Sequence, residues 1–231
     1  MSAEYTRPHI FGKDSNPTIY YLVGHGGKVS QYRLHIKYLV WRGFRVVAFE
    51  YDPKILVAGE PERLVSTTIK ITNHVKRDQA KGEVAGVYGI SLGCFIGMNV
   101  MTRAGIKRGM FNTGPANLTE VVWGAPDFSV TREAFKNNGY NREGLAMAWQ
   151  PIEMPAFASK LAGSKLLFMN SKDDEIVTYE NYLATVSLLR DVGVTEDSII
   201  TKRYGHVSVI IRNLFRLKTV TRFFGGDMIK S

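Results

Sequence analysis

The stretch EVAGVYGISLGCFIGMNVM, residues 83–101, changes its period in the middle. Residues 83–88 form a short apolar run of the kind that makes a buried strand, whereas Leu92, Phe95, Ile96, Val100 and Met101 recur at helical spacing. The join, Gly89-Ile90-Ser91-Leu92-Gly93, fits G-x-S-x-G. A serine placed there must sit on a tight strand-to-helix turn, in a strained backbone conformation that lifts its hydroxyl clear of the sheet. Glycines two before and two after remove the side chains that would collide in such a turn. The start of the helix also aims free backbone N–H groups and a partial positive charge at the serine oxygen. The plainer reading of the same residues is a serine that caps an ordinary helix.

Working outward, short apolar runs alternate with helical patterns. Residues 18–23 (TIYYLV), 44–49 (FRVVAF), 107–112, 165–170 (KLLFMN) and 198–203 (SIITKR) read as strands. Residues 30–42, 60–81, 178–192 and 206–224 read as helices, with Pro61 in a first turn and Gly43 and Gly82 as stops. This alternation predicts an α/β fold, a mostly parallel central sheet flanked by helices on both faces, with ligands at the carboxyl ends of the strands. Residues 115–155, rich in proline and aromatic side chains, break the rhythm and read as a short lid insertion within a single domain spanning 1–231.

The bulk composition narrows the function classes. A chain of 231 residues that is 45% hydrophobic can bury a sizeable core. No uncharged run reaches the length of a spanning helix, and residues 1–16 carry Glu4, Arg7, His9, Lys13 and Asp14 instead of a signal peptide's apolar centre. The single cysteine, Cys94, cannot close an internal disulfide, so a cytoplasmic location is expected. The net charge of +9 is spread over the chain without a five-residue basic block or a nucleic-acid module. No nucleic-acid partner is expected, and weak contact with an anionic membrane surface is the most that the charge implies.

The segment VYGISLGCFIG resembles the nucleophile segment of the α/β-hydrolase superfamily, which includes esterases, lipases and thioesterases. The likeness extends from about residue 18 to residue 224. It implies a chain order of serine, acid, histidine. A serine hydroxyl is a weak nucleophile that needs a neighbouring base. Among His9, His25, His35, His74 and His206, only His206 follows a late strand, in Tyr204-Gly205-His206-Val207, similar to the family's Gly-His before the last helix. The acid is sought in Ser171-Lys172-Asp173-Asp174-Glu175-Ile176-Val177, which resembles a turn where aspartate, any residue and two apolar residues follow one another. That spacing gives Asp174, with Asp173 one register away and Glu175 off the pattern.

Gly24-His25-Gly26-Gly27, after TIYYLV, resembles the family's His-Gly turn. The likeness implies that the backbone N–H groups of Leu92 and Gly27 hold the oxyanion, with Lys28 as the alternative to Gly27 and His25 as a scaffold for the loop. Trp123, Met147 and Trp149 of the insertion either line a substrate pocket over Ser91 or form the insertion's own small core. No histidine, cysteine and carboxylate cluster has metal-ligand spacing, so neither metal nor other cofactor is expected. The implied activity is cleavage of a small-molecule carboxylic ester or thioester. Acyl transfer, peptide cleavage or lyase chemistry at the same serine, or non-catalytic binding on the same fold, are the alternatives.

Overall fold

In the computed structural model, which describes residues 8–114 and 117–225, seven strands form one sheet. They are β1 (His9–Phe11), β2 (Thr18–Leu22), β3 (Arg45–Phe49), β4 (Val84–Ile90), β5 (Arg108–Asn112), β6 (Lys165–Ser171) and β7 (Thr195–Thr201). Their order across the sheet is β1-β3-β2-β4-β5-β6-β7. The β1–β3 pairing is antiparallel and the others are parallel. Between and after the strands come α1 (Arg33–Trp41), α2 (Lys54–Val57), α3 (Pro61–Asp78), α4 (Leu92–Ala104), α5 (Leu118–Gly124), α6 (Ser129–Asn137), α7 (Arg142–Trp149), α8 (Tyr179–Asp191), α9 (His206–Leu214) and α10 (Leu217–Gly225).

Every residue of β2 and β3 is buried, as both faces of a parallel sheet must be when helices cover them. Side chains alternate between faces, so β4 reports which helix lies on which side. A Cβ on Gly86 would meet the Phe224 ring of α10 at 2.6 Å. Tyr88, on the same face, stacks on Tyr21 and lies beside His35 of α1. Gly89 points the other way, and a Cβ there would lie 2.6 Å from the Gly93 carbonyl oxygen of α4. Thus α1 and α10 pack together over one face, and α4 with its neighbour α3 covers the other.

Three elements depart from the sequence expectation. The edge strand β1 has only three residues, too few to show a period. β7 starts at Thr195, within the polar Thr-Glu-Asp that reads as loop, because an edge strand needs only one apolar face. The closing helix is two helices, broken at Phe215-Arg216. Asn213 fixes the break: its Nδ2 donates to Asn112 Oδ1 at 2.9 Å, and Arg216 Nε donates to Asn213 Oδ1 at 3.2 Å. α9 therefore stays at the strand ends while α10 lays Val220 and Phe224 on the sheet.

The insertion follows β5 and packs on α2, α3 and α4. Pro115 and Ala116, with which the expected 115–155 insertion begins, lie outside the described residues. Its interior centres on Trp149, whose ring meets Phe135 edge-on at 5.4 Å and whose Nε1–H donates to the Pro61 carbonyl at 3.2 Å. Asn99 of α4 donates to the Ile152 carbonyl at 2.7 Å, tying the far end down. Among the described residues, no helix is long and apolar enough to cross a membrane.

Candidate active site

Ser91 lies between β4 and α4 with φ +50° and ψ −118°, a conformation that L-residues avoid. The surrounding backbone imposes it. Ser91 N–H donates to the Asn112 carbonyl at 2.9 Å, and Cys94 N–H donates back to the Ser91 carbonyl at 2.8 Å. The turn runs so close to β2 that a Cβ on Gly93 would sit 2.2 Å from the Leu22 carbonyl oxygen. Glycine at 93 is thus a steric requirement. Leu92 opens α4, so its N–H belongs to the first turn, where no intrahelical acceptor exists. Cys94 is packed beneath the turn with its Sγ on the Asn112 carbonyl, and burial pushes its thiol well above the usual range. It is not a competing nucleophile.

The loops after β6 and β7 bring Asp174 and His206 to the same sheet edge. The Ser91 Oγ–H faces His206 Nε2 at 2.9 Å, and His206 Nδ1–H faces Asp174 Oδ1 and Oδ2 at 3.0 and 2.9 Å. The carboxylate can only accept, which assigns the ring proton to Nδ1 and leaves Nε2 as acceptor for the serine. Asp174 and His206 are buried, and Asp174 Oδ1 also accepts from Ile176 and Val177 N–H at 3.0 and 2.8 Å. The neighbouring Asp173 carboxylate instead accepts from the Arg203 backbone N–H, bracing a residue held at φ +65°. Glu175, off pattern in the sequence, accepts the backbone N–H of His206 at 3.0 Å and so anchors the start of α9. Its signal was the Asp-Asp-Glu run itself, where each carboxylate has a separate donor to meet.

The turn after β2 corrects one expectation. Gly27 N–H donates to the Gly24 carbonyl at 3.0 Å, and Lys28 N–H donates to Gln31 Oε1 at 2.7 Å. Both donors assigned to the oxyanion are therefore engaged within the loop. Among the described residues, His25 N–H and Gly26 N–H make no hydrogen bond. The His25 ring, 3.0 Å from the Pro53 carbonyl, ties this turn to the loop after β3. A Cβ on Gly24 would lie 3.5 Å from the Ser91 Cβ, so this turn runs beside the serine.

A cavity of about 410 Å³ opens at Ser91 between this turn and α9. Gly24 to Gly27, Gln31 and Tyr32 form one wall, and Val207, Ile210, Ile211 and Leu214 form the other. Among the described residues, no ionisable group lines it apart from the imidazoles of His25 and His206 and the Tyr32 phenol, and burial raises that phenol above its usual range. Among the described residues the insertion contributes nothing to this lining, which favours the second of the two readings of its aromatic residues, a core of its own. Trp149 is fully buried in the insertion's core, Trp123 packs on the core, and Met147 is 72% exposed. The α9 wall was legible in principle. Its apolar positions 207, 210, 211 and 214 follow i, i+3, i+4, i+7, and Val209 already serves the core, so the helix has a second apolar face to explain.

No protein-family model and no curated protein matches the chain. Solved structures do. A puromycin-hydrolyzing peptidase of Mycobacterium tuberculosis superposes with a TM-score of 0.69 at 15% identity, over 96% of this chain and 39% of its own. The acylaminoacyl peptidase of Pyrococcus horikoshii gives 0.70 at 14% identity, over 99% and 42%. A carboxylesterase of the thaumarchaeon Nitrososphaera gargenis gives 0.63 at 13% identity, over 95% and 97%. The chain spans about two fifths of the length of the two peptidases and nearly the whole of the carboxylesterase. The fold they share with it is the α/β-hydrolase fold.

Proposed function

We propose that this α/β-hydrolase-fold chain is a serine hydrolase that cleaves carboxylic esters or thioesters with uncharged acyl groups. The observation that carries the reading is the unbroken hydrogen-bonded line from Ser91 Oγ through His206 to Asp174. Ser91 Oγ attacks the carbonyl carbon as its proton passes to His206 Nε2, which then protonates the departing alcohol or thiol. Asp174 holds the imidazole and offsets its transient charge. The oxyanion meets Leu92 N–H and a donor of the His25-Gly26 pair, each typically contributing ~2.7–4 kcal/mol. Water, deprotonated by His206, attacks the acyl carbon and frees Ser91 with a carboxylic acid as product.

The uncharged lining supports an acyl group without a formal charge, because a buried charge without a partner costs several kcal/mol. Amide cleavage is the second reading, favoured by the likeness to the two peptidases, although this chain spans only two fifths of either. A fluorophosphonate probe should form an adduct on Ser91 in the native protein and none in Ser91→Ala. Matched p-nitrophenyl ester and p-nitroanilide substrates should be turned over with a strong preference for the ester. Equal labelling of Ser91→Ala, or no adduct on folded native protein, would remove the reading.

A further inference from the structure

The basic residues are not evenly distributed over the molecule. Residues 15–49 and 198–225 hold eleven of the thirty Lys and Arg and none of the twenty-one Asp and Glu, leaving nineteen basic against twenty-one acidic elsewhere. The excess positive charge therefore resides in the segments that contain α1, α9 and α10. These segments share one side of the molecule: α1 touches α10, and the cavity at Ser91 opens between α9 and the turn that leads into α1.

Eight of the eleven cations are exposed, and none of those eight forms an ion pair among the described residues. Arg45, the buried one, is spent on Asp78. Arg212 rests on the Tyr204 ring, which needs no carboxylate. The carboxylates bonded to these segments meet groups other than the eight cations' side chains: Asp174 and Glu175 hold His206, Asp173 holds Arg203 N–H, and Glu50 holds Val29 N–H.

The same side is apolar where a solvated surface would be polar. Leu34 and Trp41, seven residues apart on one stripe of α1, are 84% and 73% exposed. Val207, Ile211 and Phe215, spaced by four along α9 and its end, are 65%, 51% and 75% exposed. Each helix already buries another face, with Ile36 and Leu39 on α1 and Val209 on α9. Unpaired cations interleaved with exposed large apolar side chains, on segments that carry no acid and meet Glu50, Asp173 and Glu175 only at their margins, match a surface that lies on anionic lipid. An acidic protein or a nucleic acid would account for the charge and leave Leu34 and Phe215 unexplained.

We propose that the face formed by α1, α9 and α10 docks on an anionic lipid bilayer, with the mouth of the Ser91 cavity turned toward the membrane. The surface does not rest on the hydrolase reading, since Ser91→Ala should bind vesicles as the native protein does. The test is co-sedimentation of the full chain with vesicles of phosphatidylcholine alone or mixed equally with phosphatidylglycerol. Binding should require phosphatidylglycerol. R212E/K218E/R222E should weaken it by about 100-fold, and Phe215→Ser or Leu34→Ser, each on an exposed side chain, by about tenfold. All three variants should hydrolyse soluble p-nitrophenyl acetate at the native rate. Equal sedimentation with the two vesicle types would overturn the proposal. So would native vesicle binding by both Phe215→Ser and Leu34→Ser while the triple variant loses vesicles and heparin alike, since that pattern describes a polyanion site.

Discussion

Ser91, Asp174 and His206 stand on three turns whose backbones are fixed by the strands beneath them, whereas Phe135, Leu145 and Trp149 stand on helices that hold one another. At the sheet's carboxyl edge the side chains of residues 91, 174 and 206 form a hydrogen-bonded line whose distances are all 3.0 Å or less. In the 117–161 insertion Phe135, Leu145 and Trp149 turn inward, and none of them lines the cavity at Ser91. The contrast separates two uses of a large side chain. Aromatic content in a loop-rich insertion marks a core that needs filling, and a cavity wall can instead lie on the helix that positions His206.

The sharpest way to break this comparison lies within the acid turn. In Asp174→Asn, Ile176 and Val177 N–H keep the amide oxygen, so the amide nitrogen must face His206 Nδ1. The ring proton then moves to Nε2, and Ser91 loses its acceptor. We expect kcat to fall by about 10⁴-fold, measured with p-nitrophenyl acetate. Asp173→Asn retains an oxygen for Arg203 N–H and should stay within about threefold of native, an effect below ~1 kcal/mol. Equal losses in the two variants would mean that the turn as a whole, and not Asp174, supports His206.

Trp149→Ala probes the other region. It removes a fully buried indole, its edge contact with Phe135 and its bond to the Pro61 carbonyl. Denaturant unfolding should show a loss of about 3–5 kcal/mol. The kcat/KM of the protein that remains folded should change less than threefold, because the cavity wall is elsewhere. A large change in KM with native stability would restore the insertion as a pocket.

Strands 18–22, 84–90 and 165–171 were legible because both faces are apolar, and Ser91 because glycines 89 and 93 are sterically forced. His206 and Asp174 were legible through chain order and spacing. Which N–H groups of the turn after β2 stay unbonded was not, since nothing in Gly-His-Gly-Gly fixes which N–H closes the turn on Gly24. Trp123, Met147 and Trp149 left two readings open for a related reason: composition reports apolar area without the direction in which it points. The cationic segments escaped as well, because α1 and α10 lie far apart in the chain and touch only after folding.

Two buried groups sharpen the comparison through pH. In the insertion, burial pushes the Glu153 carboxyl up to about 7 against three donors from Leu118 and Thr119. Its folded state holds a proton that the unfolded chain releases near the usual 4.5, so its contribution is full below that value and lost as pH rises to about 7. In the α1 layer, burial lowers His35 to about 4, so its contribution is present above 6.5 and lost as pH falls toward 4. The two oppose each other across this window, each on the order of 2–3 kcal/mol. Glu153→Gln should therefore reveal stability that rises with pH from about 4.5 to 6.5, where native protein is flatter. Parallel curves for the two proteins would show that the three donors, and not burial, decide Glu153.

The smallest expected effect is also the most selective. Met147 lies on α7 with 72% of its surface exposed, outside both the insertion's core and the Ser91 cavity. Met147→Ser should change stability by no more than ~0.5 kcal/mol and leave KM unaltered across p-nitrophenyl esters of increasing chain length. Ile211→Ser, on the cavity wall, should raise KM for the longer esters by about tenfold while sparing the acetate. The pair reads out direction alone, since each variant replaces an exposed apolar side chain with the same small polar one. A chain-length effect from Met147 and none from Ile211 would place the acyl group under the insertion and reverse the assignment of the two regions.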